Sequence, residues 1–94
     1  MGYREAKRKV LNALARRQFS HEVRGDISVK NLLHIGEVTP EQVISIIKSS
    51  GGNDHASSPH HSIAAIEEHV IRCRQWYIKF YFVDPDTVFI SVHQ

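Results

Sequence analysis

The sequence has little of several features that mark common classes of protein. Cys73 is its single cysteine, so an internal disulfide and a zinc site built on several thiolates are both excluded. No apolar run approaches the roughly 18 residues of a membrane-spanning helix, and the charged first ten residues do not resemble a secretory signal. We therefore expect a cytoplasmic protein with no membrane partner.

Motifs for nucleotide-cofactor, hydrolase and metal chemistry are also missing. The chain contains no GxGxxG, Walker, GxSxG or HExxH motif. Seven histidines are present, but their spacing matches no ligand motif, so histidines that bind nothing are the simpler interpretation. We expect a protein that works without a cofactor and without a metal ion.

The composition is that of an ordinary globular domain, whereas the charge is uneven. Hydrophobic residues make up 41% and charged residues 23% of the chain, and one domain over residues 1–94 is expected. Residues 1–24 hold seven bases and two acids, a net charge of +5, against −3 for the rest. This asymmetry favours a polyanion or an acidic protein as partner, although a solvated helix face explains it equally well.

Local patterns predict an α+β fold, with helices first and a sheet after them. Thr39-Pro40-Glu41-Gln42 is the clearest signal, because it combines a threonine cap, a proline at the first helical position and a glutamine that completes a capping box. Residues 51–62 are polar and predict a loop. The other expected elements are a helix over 4–17, a strand or extended link over 18–23, a brief helix over 29–34 capped by Ser28, an ambiguous helix-then-strand segment over 63–72, and strands over 75–83 and 88–93.

The C-terminal hairpin is predicted to pair Val83 with Thr87 across a three-residue turn. This register makes one face wholly apolar, because a slip by one residue would bring polar side chains into that face. The opposite face is aromatic and cationic, and we expect it to be the working surface. The apolar pairs are Phe82 with Val88, Phe80 with Ile90 and Ile78 with Val92; the open face holds Tyr77 opposite His93, Lys79 opposite Ser91, and Tyr81 and Phe89.

RNA cleavage is a chemistry that this open face could perform without a cofactor. Attack of a 2′-hydroxyl on the neighbouring phosphate needs a base, cations for the developing charge, and an acid for the leaving oxygen. Histidine, arginine and tyrosine supply these functions. The candidates are Arg72, Arg74, Tyr77, Lys79 and His93, with His69 at the edge; the alternative is that Tyr77 and Lys79 are ordinary solvent-facing strand residues.

Four segments resemble the MqsR-type toxins of type II toxin–antitoxin systems, within the wider RelE-like group of mRNA interferases. These are WYIKFYF at 76–82, DTVFISVH at 86–93, VTPEQVISII at 38–47 and IEEHVIR at 66–72. The resemblance implies N-terminal helices packed on a small antiparallel sheet that ends in a C-terminal hairpin. It also implies a cofactor-free endoribonuclease that cuts mRNA and is silenced by an antitoxin protein.

The resemblance also implies roles for individual residues. Tyr77 matches the family's catalytic tyrosine, and Lys79 matches the lysine that follows it. The family's Asp-Phe-Tyr-Lys-Ser stretch is replaced by NDHAS at 53–57, so Ala56 stands in place of a lysine and His55 is the candidate substitute. Together with the open face, this predicts catalytic Tyr77, Lys79, His93, His69 and Glu68, and RNA-binding Arg72, Arg74, His55 and Tyr81.

Two other functions fit the same sequence. One is a non-catalytic RNA-binding or regulatory module that uses the basic first helix and the aromatic strand face. The other is a protein-interaction domain that binds no nucleic acid. A toxin arrests growth when it is expressed without its partner, whereas neither alternative needs to.

Overall fold

The computed structural model describes the backbone of residues 1–94 and every side chain except those of Ile27 and Ser28, so the expected Ser28 cap lies outside the described side chains. The predicted α+β class is confirmed. No helix in the described part of the chain is long and apolar enough to cross a membrane. The helices are α1 (Tyr3–Arg16), α2 (Ile27–Lys30) and α3 (Pro40–Lys48), with a 3-10 turn at Gly52–Asp54; the strands are β1 (Phe19–His21), β2 (His55–Pro59), β3 (Glu67–Cys73), β4 (Trp76–Val83) and β5 (Asp86–His93).

The five strands form one mixed sheet in the order β1-β5-β4-β3-β2. Strands β2 to β5 form an antiparallel meander, whereas β1 lies parallel to β5. The expectation of a wholly antiparallel sheet is therefore wrong at one edge. The reason is that β1 is three residues long and pairs with a strand more than 60 residues away, so no local pattern fixes its direction.

Helices α1 and α3 cover one face of the sheet and form the hydrophobic core with it. Four apolar residues in five positions of α3 are β-branched, so this helix is stabilised by burial more than by intrinsic propensity. The cluster consists of Val10 and Leu14 from α1, Val43, Ile46 and Ile47 from α3, Ile71, Ile78, Phe80, Phe89 and Val92 from the sheet, and Leu33 and Val38 from the segment before α3.

The capping box at the start of α3 is confirmed. The Gln42 backbone N–H donates to Thr39 Oγ1 at 3.1 Å, and the Thr39 N–H donates to Gln42 Oε1 at 2.7 Å. We expect Thr39→Ala to lower the free energy of unfolding by about 1 kcal/mol, because one N–H of the first turn loses its acceptor. Urea denaturation measures this loss, and Ser58→Ala on the exposed surface of β2 is the control, expected within about 0.5 kcal/mol of the unchanged protein.

The hairpin of β4 and β5 follows the predicted register at its open end and departs from it near the turn. Tyr77 pairs with His93 and Lys79 with Ser91, as predicted. A β-bulge then leaves Ile90 unpaired, so Phe80 lies opposite Phe89 and Val83 opposite Asp86. The predicted pairing of Val83 with Thr87 is therefore wrong, and Phe89 faces the core, fully buried, instead of the open face. Phe89 and Ile90 are both apolar, so either residue could occupy the inward position of the alternating pattern. The sequence therefore did not indicate the bulge.

The segment predicted to be a long polar loop contains an edge strand. Residues 55–59 form β2 and pair with β3, and only residues 60–66 connect the two strands. Strand β2 is polar because it lies at the edge of the sheet with little burial, so the usual hydrophobic signal of a strand is absent. The ambiguous 63–72 segment resolves into this connection followed by β3.

A pair of stacked histidines lies at the β1 edge of the sheet. The rings of His21 and His34 are 4.4 Å apart and nearly parallel, and His21 Nδ1 lies 3.0 Å from the Asn31 side-chain amide. Burial, helped by the proximity of His34, lowers the pKa of His21 to about 4. The folded protein therefore keeps this ring neutral under conditions where the unfolded chain protonates it.

The lowered pKa of His21 predicts a loss of stability in mild acid. This stabilisation is complete above the unfolded pKa near 6.5 and is lost as pH falls towards 4. The loss amounts to about 2.5 kcal/mol by pH 4.5. The free energy of unfolding in urea, measured from pH 7 to 4.5, should fall less in His21→Gln than in the unchanged protein. The exposed His61→Gln is the control, and equal slopes in all three proteins would contradict the assignment.

Candidate active site

The open face of the sheet carries a cavity of about 290 Å³ between β4, β5 and the segment that follows β1. Alternation along β4 turns Tyr77 and Lys79 away from the core, and their partners on β5 lie beside them. The structure therefore brings three of the predicted catalytic residues together. The cavity is lined by Arg24, Lys30, Tyr77, Lys79, Ile90, Ser91 and His93.

Tyr77 is in contact with a second ring and with a cation. Its ring is stacked with that of His93 at a centroid distance of 5.2 Å and an angle of 21°. The guanidinium carbon of Arg72 lies 5.1 Å from the centroid of the Tyr77 ring, within the range of a cation–π contact. These contacts fix the position of the phenol and bring Arg72 to the border of the cavity.

His93 is oriented so that one ring nitrogen is available for proton transfer. Its Nδ1 lies 3.0 Å from Gln94 O, and an oxygen of this kind only accepts hydrogen bonds. The neutral ring therefore carries its proton on Nδ1. The Nε2 atom then holds the lone pair that a general base requires.

Lys79 is held in place by a buried carboxylate. Its Nζ lies 3.2 Å from Oε1 of Glu68, whose side chain is only 3% exposed, and Arg24 Nη2 donates to Glu68 Oε2 at 2.6 Å. Burial raises the pKa of Glu68, but the hydrogen bonds from Arg24 and Lys79 outweigh it, and the pKa lies below its usual value. Glu68, predicted to be catalytic, is thus an ionised group behind Lys79 and suits a positioning role.

The same network removes Tyr81 from the exposed surface. Tyr81 Oη donates to Glu22 Oε1 at 3.2 Å, and the side chain is 9% exposed. Burial and the neighbouring Glu22 carboxylate raise the pKa of Tyr81. Its predicted RNA contact is therefore not supported, because the hydroxyl is directed into the ion-pair network.

Four side chains of this region offer potential metal ligands within 4.8 Å of one another: Glu22, His60, His61 and Glu68. His60 Nδ1 accepts the backbone N–H groups of residues 62 and 63, so its proton lies on Nε2 and is donated to Glu22 at 3.1 Å. A metal ion would need that Nε2 lone pair. Arg24 Nη2 already places a positive charge between the two carboxylates, 2.6 Å from Glu68 Oε2 and 2.7 Å from Glu22 Oε2. The geometry is that of an ion-pair network.

His69 lies on the other face of the sheet, so its predicted place in the catalytic group is wrong. It follows Glu68 in β3 and consequently points into the core, 1% exposed and packed against Phe80 and Phe82. Its Nδ1 lies 3.0 Å from His55 Nε2, and burial lowers the pKa of both rings. The two rings pair with each other across β2 and β3, and the ring of His55 is not directed at Tyr77.

Arg74 is also separated from the cavity. It occupies the two-residue turn between β3 and β4 with Gln75, and both residues have positive φ, the geometry of a type I′ turn. Its side chain borders a groove beside α3 and Trp76 on the core side of the sheet. Its predicted RNA contact therefore does not belong to this site.

Arg24 and Lys30 are site residues that the sequence did not indicate. Both follow β1, and only the parallel pairing of β1 with β5 brings their segment over the open face. The basic residues of α1 lie on the opposite face of the sheet, where Lys9 forms an ion pair with Asp84 at 2.6 Å. The positive charge near Tyr77 thus comes from a different part of the chain than the basic first helix.

Searches for similar proteins found no matching family model, curated protein or solved structure. The function is therefore inferred from the residues of the site themselves.

Proposed function

We propose that this chain is a small, metal-independent endoribonuclease, an mRNA interferase of the RelE-like toxin type, restrained by an antitoxin protein. The observation that carries the proposal is the grouping of Tyr77, Lys79 and His93 in one open cavity with Arg24 and Lys30. A base, an acid and several cations within one cavity are what cleavage of RNA by its own 2′-hydroxyl requires.

His93 and Tyr77 are the proton-transfer residues in this mechanism. His93 Nε2 removes the proton of the 2′-hydroxyl, whose oxygen then bonds to the adjacent phosphorus. The bond from phosphorus to the 5′-oxygen breaks, and the Tyr77 phenol gives its proton to that oxygen. The products are a 2′,3′-cyclic phosphate and a 5′-hydroxyl, and water returns a proton from His93 to Tyr77.

The cations around the cavity stabilise the extra charge on the phosphate oxygens in the transition state. Lys79 is held by Glu68, which reduces the entropy lost when the amine meets the substrate. Arg24, Lys30, Lys79 and Arg72 outnumber the two carboxylates of the network, Glu22 and Glu68, so the site has a net positive charge. A positive site attracts the RNA backbone and is sensitive to salt.

A non-catalytic RNA-binding module is the second candidate, and one observation favours it. The contacts of Tyr77 with Arg72 and His93 form a platform on which a base can stack without any reaction. The basic first helix does not contribute to this platform, because α1 packs on the opposite face of the sheet. Binding would therefore use the open face alone.

Cleavage of a defined single-stranded RNA by the purified protein tests the proposal. We expect 5′-hydroxyl and 2′,3′-cyclic phosphate ends, full activity in EDTA, and no cleavage where a 2′-deoxynucleotide replaces the ribonucleotide at the cut site. Binding without cleavage, weakening with salt, would support the binding module instead. If the protein neither binds nor cleaves RNA, both functions are contradicted.

The toxin assignment is tested in cells. Expression of the chain alone should arrest growth, and co-expression of the product of an adjacent short gene should relieve the arrest by forming a complex. Growth at the normal rate with the folded protein present would contradict the toxin assignment.

A further inference from the structure

Residues 22–30 lead from β1 through α2, and they border the candidate active site. They supply Arg24 and Lys30, two of the cations that line its cavity. Strand β1, which precedes them, is only three residues long and lies at the edge of the sheet. Short elements with few backbone hydrogen bonds are where a protein opens locally, so we call residues 22–30 the flap.

Two backbone hydrogen bonds to β5 close the base of the flap. The Glu22 N–H donates to Phe89 O at 2.9 Å, and the Leu32 N–H donates to Val92 O at 2.8 Å. The side chain of Asn31 lies between these two ends and is only 1% exposed. A buried amide has to satisfy both its oxygen and its nitrogen, so the contacts of Asn31 bear directly on whether the base stays closed.

The orientation of Asn31 makes this base sensitive to a proton on His21. The His34 N–H, which can only donate, bonds to Asn31 Oδ1 at 3.1 Å. The Nδ2 donor of the amide is consequently the atom that lies 3.0 Å from His21 Nδ1, and that nitrogen must accept. A proton on His21 Nδ1 would set two donors face to face. Turning the amide over would bring its NH₂ group against the His34 N–H, so the contact holds only while His21 is neutral.

The side chains around His21 do not compensate a positive charge. Phe19 and Phe89 contact its ring, and His34 is stacked on it at 4.4 Å and repels it when protonated. Together with Asn31 these are apolar, neutral or basic groups, and none of the four is an acid. Burial, helped by the proximity of His34, accordingly lowers the pKa of His21 to about 4.

Ion pairs on the open face hold the flap from its other side. Arg24 Nη2 lies 2.7 Å from Glu22 Oε2 and 2.6 Å from Glu68 Oε2. Burial raises the pKa of both carboxyl groups, but hydrogen bonds from neighbouring side chains outweigh it, and both pKa values lie below the usual value. These carboxylates therefore stay ionised in mild acid, where protonation of His21 already opposes closure.

We propose that the flap is a pH-sensitive device, which neutral His21 keeps closed over the candidate active site and protonated His21 releases. Release withdraws Arg24 and Lys30 from the cavity and leaves the rest of the sheet folded. The consequence for RNA rests on the function proposed above, whereas the opening itself does not. Because the ring regains its ordinary pKa near 6.5 in the open flap, the ratio of open to closed flap rises about twentyfold between pH 7 and pH 5.

Hydrogen exchange of the Glu22 and Leu32 amides measures the opening directly. At pH 7 we expect lower protection factors for both than for the amides of β3 and β4, because the flap opens without the sheet. Their protection factors should then fall about twentyfold from pH 7 to pH 5. Protection equal to that of β3 and β4 at both pH values overturns the proposal, because the flap then opens only with the whole fold.

Two substitutions separate the effect of His21 from a general effect of acid. His21→Gln keeps an oxygen that accepts from Asn31 but does not titrate, so the fall in protection should be absent. Asn31→Asp gives the protonated ring an acceptor, so protection should not fall in acid; if this variant does not fold, His21→Gln decides alone. The exposed His61→Gln is the control and should match the unchanged protein. A twentyfold fall that persists in His21→Gln overturns the proposal.

Binding of a short single-stranded RNA tests the consequence for the site. Methylation of its 2′-hydroxyls prevents cleavage, so affinity alone is measured. Protonated histidines add positive charge and by themselves strengthen binding to RNA. We nevertheless expect the unchanged protein to bind more weakly at pH 5 than at pH 7 and His21→Gln to bind at least as tightly. Undiminished binding by the unchanged protein at pH 5 overturns control of the site by the flap. Binding at neither pH contradicts the proposed function, and hydrogen exchange then still decides whether the flap opens.

Discussion

RNA cleavage by the Tyr77→Phe and His93→Gln variants is expected to be about 10²–10⁴-fold slower than by the unchanged protein. Tyr77→Phe keeps the ring that is stacked with His93 but removes the phenolic proton. His93→Gln keeps a polar side chain but removes the Nε2 lone pair that serves as base. The single-turnover rate with saturating protein is the measurement, because it separates the chemical step from binding.

The two side chains act on one reaction, so their effects should not add. The double variant is expected to be little slower than the worse single variant, as for residues that act as a unit. Thermal midpoints should stay close to that of the unchanged protein, because neither side chain belongs to the buried core. Ser20→Ala on the exposed side of β1 is the control for handling and folding. Single-turnover rates equal to that of the unchanged protein would remove both residues from the mechanism.

The parts of the site that the sequence predicted are those that depend on short-range pattern. The alternation of side chains along β4 and at the open end of the hairpin is a local property. It correctly predicted that Tyr77, Lys79 and His93 lie on one face of the sheet. The capping box of Thr39 was predicted for the same reason, since all its atoms lie within four residues. Hydrophobic periodicity and helix capping depend only on residues that are close together in the sequence.

The parts that were missed depend on long-range pairing. Arg24 and Lys30 reach the cavity only because β1 pairs with β5, a contact between the two ends of the chain. His69 was predicted to lie at the edge of the catalytic group, but it follows Glu68 in β3, and adjacent residues of a strand face opposite sides. Correct placement of His69 required the register of β3 on β4, which its own sequence left ambiguous.

Glu68→Gln is expected to lower the free energy of unfolding by about 3 kcal/mol at pH 7. The substitution removes a buried charge that pairs with Arg24 and Lys79 and leaves both cations poorly compensated. Breaking a buried ion pair typically costs about 3–5 kcal/mol, and the lower end applies because the two basic side chains are 24% and 25% exposed. Urea denaturation at pH 7 measures the difference.

Glu67→Gln is the matched control for this prediction. Glu67 is the preceding residue of the same strand, but its side chain is 41% exposed, so its loss should cost less than about 1 kcal/mol. The pKa of Glu68 is below its usual value because the ion pairs outweigh burial, so its contribution is present above the ordinary carboxyl pKa and is lost as pH falls through the lowered value. The gap between the unchanged protein and Glu68→Gln should consequently narrow below about pH 4. Equal losses in the two variants at pH 7, or a gap that does not narrow in acid, would show that Glu68 is not the centre of this network.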